Sequence, residues 1–156
     1  ALVLVILDQV VKYLVLTYIP LGGYVPFLPH IVCLTYVQNT GAAFSMFSQH
    51  TWILALISLI MSVVLAVALW KNFFTHPLGK VTLALLLAGA VGNLIDRTLR
   101  GFVVDMFQLL FMNFAVFNVA DICVVVGGIA AAAYYLLLAD KLEHKEAPHG
   151  TADADR

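Results

Sequence analysis

Charge is what this chain has least of. Its 156 residues carry 8 Lys and Arg and 9 Asp and Glu, so it is 11% charged and 63% hydrophobic, whereas soluble domains run near ~25% charged. That shortage excludes an ordinary soluble domain, and the lack of a basic patch excludes a nucleic-acid footprint. Cysteine is almost as scarce: Cys33 and Cys123 form no CxxC or metal-ligand spacing, and read as two plain thiols rather than a redox pair or a metal site. Lys and Arg are missing altogether from Pro20 to His50, and no charge of either sign occurs from Thr51 to Trp70. With a mean hydropathy of +1.00, the chain reads as an integral membrane protein without internal repeats. The charge that remains is uneven, with Glu143, Glu146, Asp153 and Asp155 gathered in the tail.

The apolar runs predict an all-α membrane protein of four transmembrane helices, at about 1–19, 51–70, 79–97 and 117–139. The first run lacks the basic start and small-residue cleavage site of a secretory signal peptide. It is therefore read as a retained helix with a few residues missing in front. Within it Asp8 and Lys12 lie one helical turn apart, and are read as a structural ion pair facing the bundle. Residues 20–50 break the helical pattern with Pro20, Gly22, Gly23, Pro26 and Pro29, while Ile31 to Val37 favours a strand. This region is expected to form a small extracytoplasmic sheet on the membrane surface, ending in Gln38-Asn39-Thr40-Gly41-Ala42-Ala43-Phe44-Ser45. There Gly41, Ala42 and Ala43 would let another backbone approach closely, although a plain turn explains them as well.

In the third span Ala84, Ala88, Gly89 and Gly92 supply small residues for tight helix contact. Asn93 and Arg97 share a face near Asp96 at its far end; Asp96 and Arg97 are either a cap and interfacial anchor or, with Asn93, a clamp for a peptide backbone. Between the third and fourth spans, Phe107 to Phe114 suggests an interfacial loop or helix. Residues 141–156 read as a disordered cytoplasmic tail after a single membrane-embedded domain over 1–140. Lys71, Lys80, Lys141 and Lys145 fall on one side if the spans alternate, which assigns them and both termini to the cytoplasm. Arg97 and Arg100 run against that assignment.

Asp105 and Asp121 carry the chemistry. Asp121 heads an apolar run in which an unpaired carboxylate is costly, and Asp105 is the nearest acidic partner in sequence. From spacing alone the two are either unrelated aspartates or a hydrolytic pair at the membrane edge. Asn118 lies three residues before Asp121 on the same helical face.

Five motifs in order resemble those of the bacterial lipoprotein signal peptidases, or signal peptidase II. They are Asp8-Gln9 with Lys12; Asn39 to Ser45; Gly89-Ala90-Val91-Gly92-Asn93-Leu94-Ile95-Asp96-Arg97; Val103-Val104-Asp105; and Phe117-Asn118-Val119-Ala120-Asp121. Ala88 and Met106 stand where the family often has Gly and Phe. The resemblance implies a membrane-embedded aspartic endopeptidase of the bacterial inner membrane, with Asp105 and Asp121 as catalytic dyad. It implies that Asn39, Gly41, Asn93, Arg97 and Asn118 bind or orient substrate, with no metal and no cofactor. The implied substrate is a diacylglyceryl prolipoprotein, met among membrane lipids and cut on the amino side of its lipidated cysteine near the extracytoplasmic face. Globomycin-like cyclic peptides are the implied inhibitors. Two other readings compete: a non-enzymatic bundle that transports ions or binds lipid through Asp8, Lys12 and Asp121, and a degenerate peptidase homologue that binds lipoproteins without cutting them.

Overall fold

The computed structural model describes residues 1–41 and 51–137. Seven elements follow in chain order: α1 (Leu2–Tyr18), β1 (Tyr24–Leu28), β2 (Val32–Asn39), α2 (Thr51–Trp70), α3 (Pro77–Leu99), β3 (Val103–Leu109) and α4 (Val119–Leu137). The expected close approach at Ala42 and Ala43, the last residues of the fourth predicted span and the tail all lie outside the described residues.

Among the described residues α2, α3 and α4 are long and apolar enough to cross a membrane. The 20 residues of α2 span about 30 Å at ~1.5 Å per residue, and its Leu56, Ile57, Ile60, Val63 and Val64 face outward, as lipid contact requires. α1 is shorter, at 17 residues, and contains Asp8 and Lys12. α3 packs between α2 and α4 and also touches α1. Its start is capped by His76, whose Nδ1 accepts a hydrogen bond from the Leu78 amide at 3.2 Å, with Pro77 in the first turn. Two glycines permit the close packing of α3. A Cβ on Gly89 would lie 2.4 Å from the Ala120 carbonyl oxygen, and one on Gly92 would lie 2.7 Å from Asp8 Oδ2.

The three strands form one antiparallel sheet in the order β1-β2-β3. β3 takes up the start of the segment expected as an interfacial loop or helix, and residues 110–116 follow it as a loop. The register pairs Cys33 with Gln108, Val37 with Asp105 and Asn39 with Val103. Apolar composition alone suggested an interfacial segment, but β2 offers an open edge whose hydrogen bonds the Val103–Leu109 backbone completes. Every residue of β1 is exposed, whereas β2 and β3 cover the end of α1 through Val15, Ile19, Tyr36, Val104 and Met106. The sheet therefore seats Asp105 in the buried first half of β3, beside the helices. Cys33 and Cys123 are both free and buried.

Candidate active site

Asp121 sits in the first turn of α4, held by a reciprocal cap. The Asp121 amide donates to Asn118 Oδ1 at 2.9 Å, and the Asn118 amide donates to Asp121 Oδ2 at 3.2 Å. This is capping-box geometry with an Asn–Asp pair, and it satisfies helix N–H groups that burial would otherwise leave unpaired. The same Asn118 side chain faces β3: its Nδ2 donates to Asp105 Oδ1 at 2.6 Å and to Asn93 Oδ1 at 3.2 Å. One fully buried amide thus joins the two aspartates.

Two further asparagines complete the shell. Asn93 Nδ2 donates to Asp121 Oδ1 at 2.8 Å, and Asn39 Nδ2 donates to Asp105 Oδ2 at 2.8 Å. The Asn39 oxygen in turn accepts from the Gly41 amide at 2.9 Å. Burial pushes the Asp105 carboxyl up to about 7, and the neighbouring charge of Asp121 adds to the rise; the Asn39 and Asn118 hydrogen bonds and the Lys12 charge pull the other way. Asp105 can therefore hold or release a proton near neutral pH, as an acid–base group must.

Beneath this shell lies an ionic cluster. Lys12 Nζ is 2.9 Å from Asp8 Oδ2 and 3.0 Å from Asp96 Oδ2, and it donates to Asn93 Oδ1 at 3.1 Å. Asp8 also accepts from the Ala120 amide at 2.9 Å, tying α1 to the first turn of α4. Asp96 is fully buried and accepts from Lys12, Gln9, Arg100 and the Val104 amide. It is neither an exposed cap nor a partner of Arg97, as sequence proximity suggested. Arg97 reaches instead toward Ser58 Oγ and the Gly41 carbonyl, both at 3.4 Å. Arg100 and Gln9 were not singled out for this cluster. The i, i+4 spacing of Asp96 and Arg100 was the signal available for the first.

Two cavities flank the aspartates. One of about 410 Å³ is lined by Asp105, Asn39 and Gly41 with residues 113–116. The other, of about 490 Å³, is lined by Asp121, Asn39 and Arg97 and walled by Ile122, Val124, Val125 and Val126. Asn39 and residues 114–116 border both. Lys12, Asn93 and Asn118 border neither; they stand behind the carboxylates rather than in the open space. Asn93 and Asn118 thus hydrogen-bond the two aspartates from behind, whereas Asn39, Gly41 and Arg97 face the cavities. Among the described residues no three His, Cys, Asp or Glu side chains gather as metal ligands.

Comparison with known proteins gives a consistent picture. A profile of the family described as Signal peptidase (SPase) II matches residues 1–137. The chain is 45% identical to a lipoprotein signal peptidase of Enterococcus faecalis, over 95% of this chain and 91% of that protein. It is 46% identical to one of Streptococcus pneumoniae, over 81% and 82%. A solved bacterial membrane enzyme at 33% identity superposes with a TM-score of 0.81, covering 94% of this chain and 90% of that one.

Proposed function

The chain belongs to the signal peptidase II family, aspartic peptidases of bacterial membranes, and from that premise we propose that Asp105 and Asp121 are its catalytic dyad. The observation that carries this reading is the Asn118 amide, which bonds Asp105 with its nitrogen and caps Asp121 with its oxygen. Two carboxylates linked in this way at the meeting of two cavities share one proton, because both cannot ionise cheaply in a desolvated site. The ionised member takes a proton from water as the water oxygen attacks the scissile carbonyl carbon. The protonated member gives its proton to the developing oxyanion, producing a tetrahedral diol. As the diol collapses, the C–N bond breaks, the proton taken from water passes from its aspartate to the amine nitrogen, and one hydroxyl proton goes to the other carboxylate, which restores the singly protonated pair. No covalent enzyme intermediate forms.

The substrate is a prolipoprotein whose cysteine carries diacylglycerol, cleaved on the amino side of that cysteine. The 490 Å³ cavity, with its wall of Val124, Val125 and Val126, suits the acyl chains. Val125 and Val126 are also exposed on the outer face of α4, so this wall opens toward lipid. The 410 Å³ cavity runs beside Val37 to Gly41, where an extended signal-peptide backbone finds polar partners. Arg97, whose buried Nε has no partner among the described residues, offers a further donor to the peptide. A globomycin-like cyclic peptide is expected to occupy the same space.

We assign four spans, α1 included, to the bacterial inner membrane, with both termini cytoplasmic and the dyad near the outer face. The outward side of α1 presents Leu2, Val3, Ile6, Leu7, Val10 and Leu14, while its two charges turn inward and neutralise each other. That arrangement also counts against transport through Asp8 and Lys12, which are buried and mutually paired rather than aligned along a polar path. Against a degenerate homologue stand the donors aimed at both aspartates.

The deciding experiment is cleavage of a diacylglyceryl prolipoprotein by purified protein in lipid, comparing the parent with Asp105→Asn and Asp121→Asn. Each variant is expected to lose at least ~10³-fold in kcat. Full activity in either one removes the dyad.

A further inference from the structure

Lys12 lies outside both cavities and is fully buried, so it cannot touch substrate. Its ammonium has three N–H bonds and no acceptor. All three are used: toward Asp8 Oδ2 at 2.9 Å, Asp96 Oδ2 at 3.0 Å and Asn93 Oδ1 at 3.1 Å.

The third contact has a directional consequence. Because Lys12 can only donate, Asn93 must present its oxygen to Lys12, which turns its NH2 toward Asp121 Oδ1 at 2.8 Å. The same Asn93 oxygen accepts from Asn118 Nδ2. With its NH2 so engaged, Asn118 sends one N–H to Asp105 and leaves its oxygen for the Asp121 amide. Each amide in the relay thus gives one N–H to a carboxylate, Asn93 to Asp121 and Asn118 to Asp105, while the second Asn118 N–H returns to the Asn93 oxygen that Lys12 also holds.

From this geometry we infer that Lys12 is a positioning residue for hydrolysis, fixing the donor direction of the Asn93–Asn118 relay so that Asp105 and Asp121 hold one negative charge between them. The inference rests on the dyad assigned above. Without Lys12, only the 3.2 Å contact from Asn118 Nδ2 still holds the Asn93 oxygen, so the amide can turn over more readily and offer its oxygen to Asp121, which favours a doubly protonated pair that lacks a base. In a site screened from water, the lost positive charge acts in the same direction.

The charged and titratable groups around Lys12 are few. Facing Lys12 and its partners are Asp8 of α1 itself, Asp96 of α3 with Arg100 just beyond its end, Asp105 of β3, and Asp121 and Cys123 of α4. The strand β2 brings Tyr36, packed with Val15 of α1, and no charged residue. Asp8 and Lys12 thus give two ways to change the net charge behind the dyad, in opposite senses, while weakening the same ion pair.

The test is the pH dependence of kcat and KM in the lipid-based cleavage assay for Lys12→Met, Lys12→Arg and Asp8→Asn. In Lys12→Met the acidic limb of the kcat profile is expected to move up by roughly one pH unit, about a tenfold loss of kcat at a pH on that limb, with KM changed less than about twofold. Asp8→Asn is expected to move the limb down, and Lys12→Arg to leave it near the parent's. A merely structural pin would lower activity in both neutralised variants in proportion to the folded fraction, with no limb shift. Limbs that stay in place, or that move the same way in Lys12→Met and Asp8→Asn, overturn the role of Lys12. If Lys12→Met does not fold, Asp8→Asn decides: a downward shift supports the role, and an unmoved or raised limb removes it. Failure of the dyad reading is distinct, because it shows as an active Asp105→Asn or Asp121→Asn whatever the Lys12 variants do.

Discussion

Asp105 shows how the proton on a single buried carboxylate is coupled to stability. Its ordinary value of 3.8 is raised to about 7 in the folded protein, by burial first and by Asp121 second. Below about pH 4 it is protonated in folded and unfolded chains alike. Between about pH 4 and 7 the folded protein keeps a proton that the unfolded chain releases, so stability falls as pH rises through that window. The melting temperature in detergent is therefore expected to decline from pH 5 to pH 8, with Asp105 responsible for roughly 1–4 kcal/mol of the change. Asp105→Asn should flatten that slope, and an unaltered slope would show that the proton resides elsewhere. Asn118 makes a second residue-scale case, since one amide serves both as helix cap and as bridge. Asn118→Ala removes a cap worth about 1 kcal/mol and deprives Asp105 of its 2.6 Å donor. The expected result is a modestly lower melting temperature with kcat reduced by ~10²-fold or more, a kinetic loss much larger than the change in folded fraction. Loss of activity only in step with loss of folded protein would make Asn118 a cap and nothing else.

At the scale of elements, the site depends on how closely α3 approaches α4. Gly89 lies against the Ala120 carbonyl and the Val124 side chain, and an added Cβ would be 2.4 Å and 2.5 Å from them. Backbone has no rotamer with which to yield, so Gly89→Ala must push away the turn that carries Asp121. It is expected to cost ~1–3 kcal/mol and most of the activity, whereas Gly128→Ala, with nothing within 4 Å of its Cβ, should leave both near parental levels. Thermal melts and cleavage rates of the two variants provide the comparison, and equal behaviour would refute the packing argument. The same elements mark how far the sequence could be read. The bounds of α2 were legible to the residue because twenty uncharged apolar residues admit little else, and the starts of α3 and α4 fell within two residues of expectation. The strand β3 was not legible, because its partner is remote: Asn39 and Asp105 meet across 66 positions. The burial of Asp96 was hidden for the same reason. Its hydrogen bond from Gln9 crosses 87 positions, and a local reading could pair it only with its neighbour. Asp105, Asp121 and the asparagines were recognisable through motif order, but the division between those behind the carboxylates and those in the cavities depends on geometry that no spacing encodes.

For the whole molecule, the remaining question is which way it faces. Arg97 and Arg100 ran against the orientation drawn from the lysines, but the structure removes them as free loop charges. Arg100 pairs with the fully buried Asp96, and Arg97 points into the bundle toward Ser58 and Gly41. The rule that basic residues remain in the cytoplasm concerns loop charges that would have to cross the membrane unpaired. Lys71, in the connection from α2 to α3, is then the informative residue, and the sheet with its exposed β1 lies at the other end of the spans. Cys33 and Cys123 are buried, so an introduced surface cysteine dominates labelling by a membrane-impermeant maleimide. In cells with a permeable outer layer and an intact inner membrane, Tyr24→Cys is expected to react readily and Lys71→Cys only after lysis. Reaction of Lys71→Cys in intact cells with no reaction of Tyr24→Cys would invert the molecule, and equal labelling of both positions before lysis would require an even number of spans between them. The expected pattern puts the proposed dyad on the outer side, where the proposed substrate, a prolipoprotein already carrying its diacylglycerol, would present the scissile bond at the membrane surface, with its acyl chains in the outer leaflet beside α4.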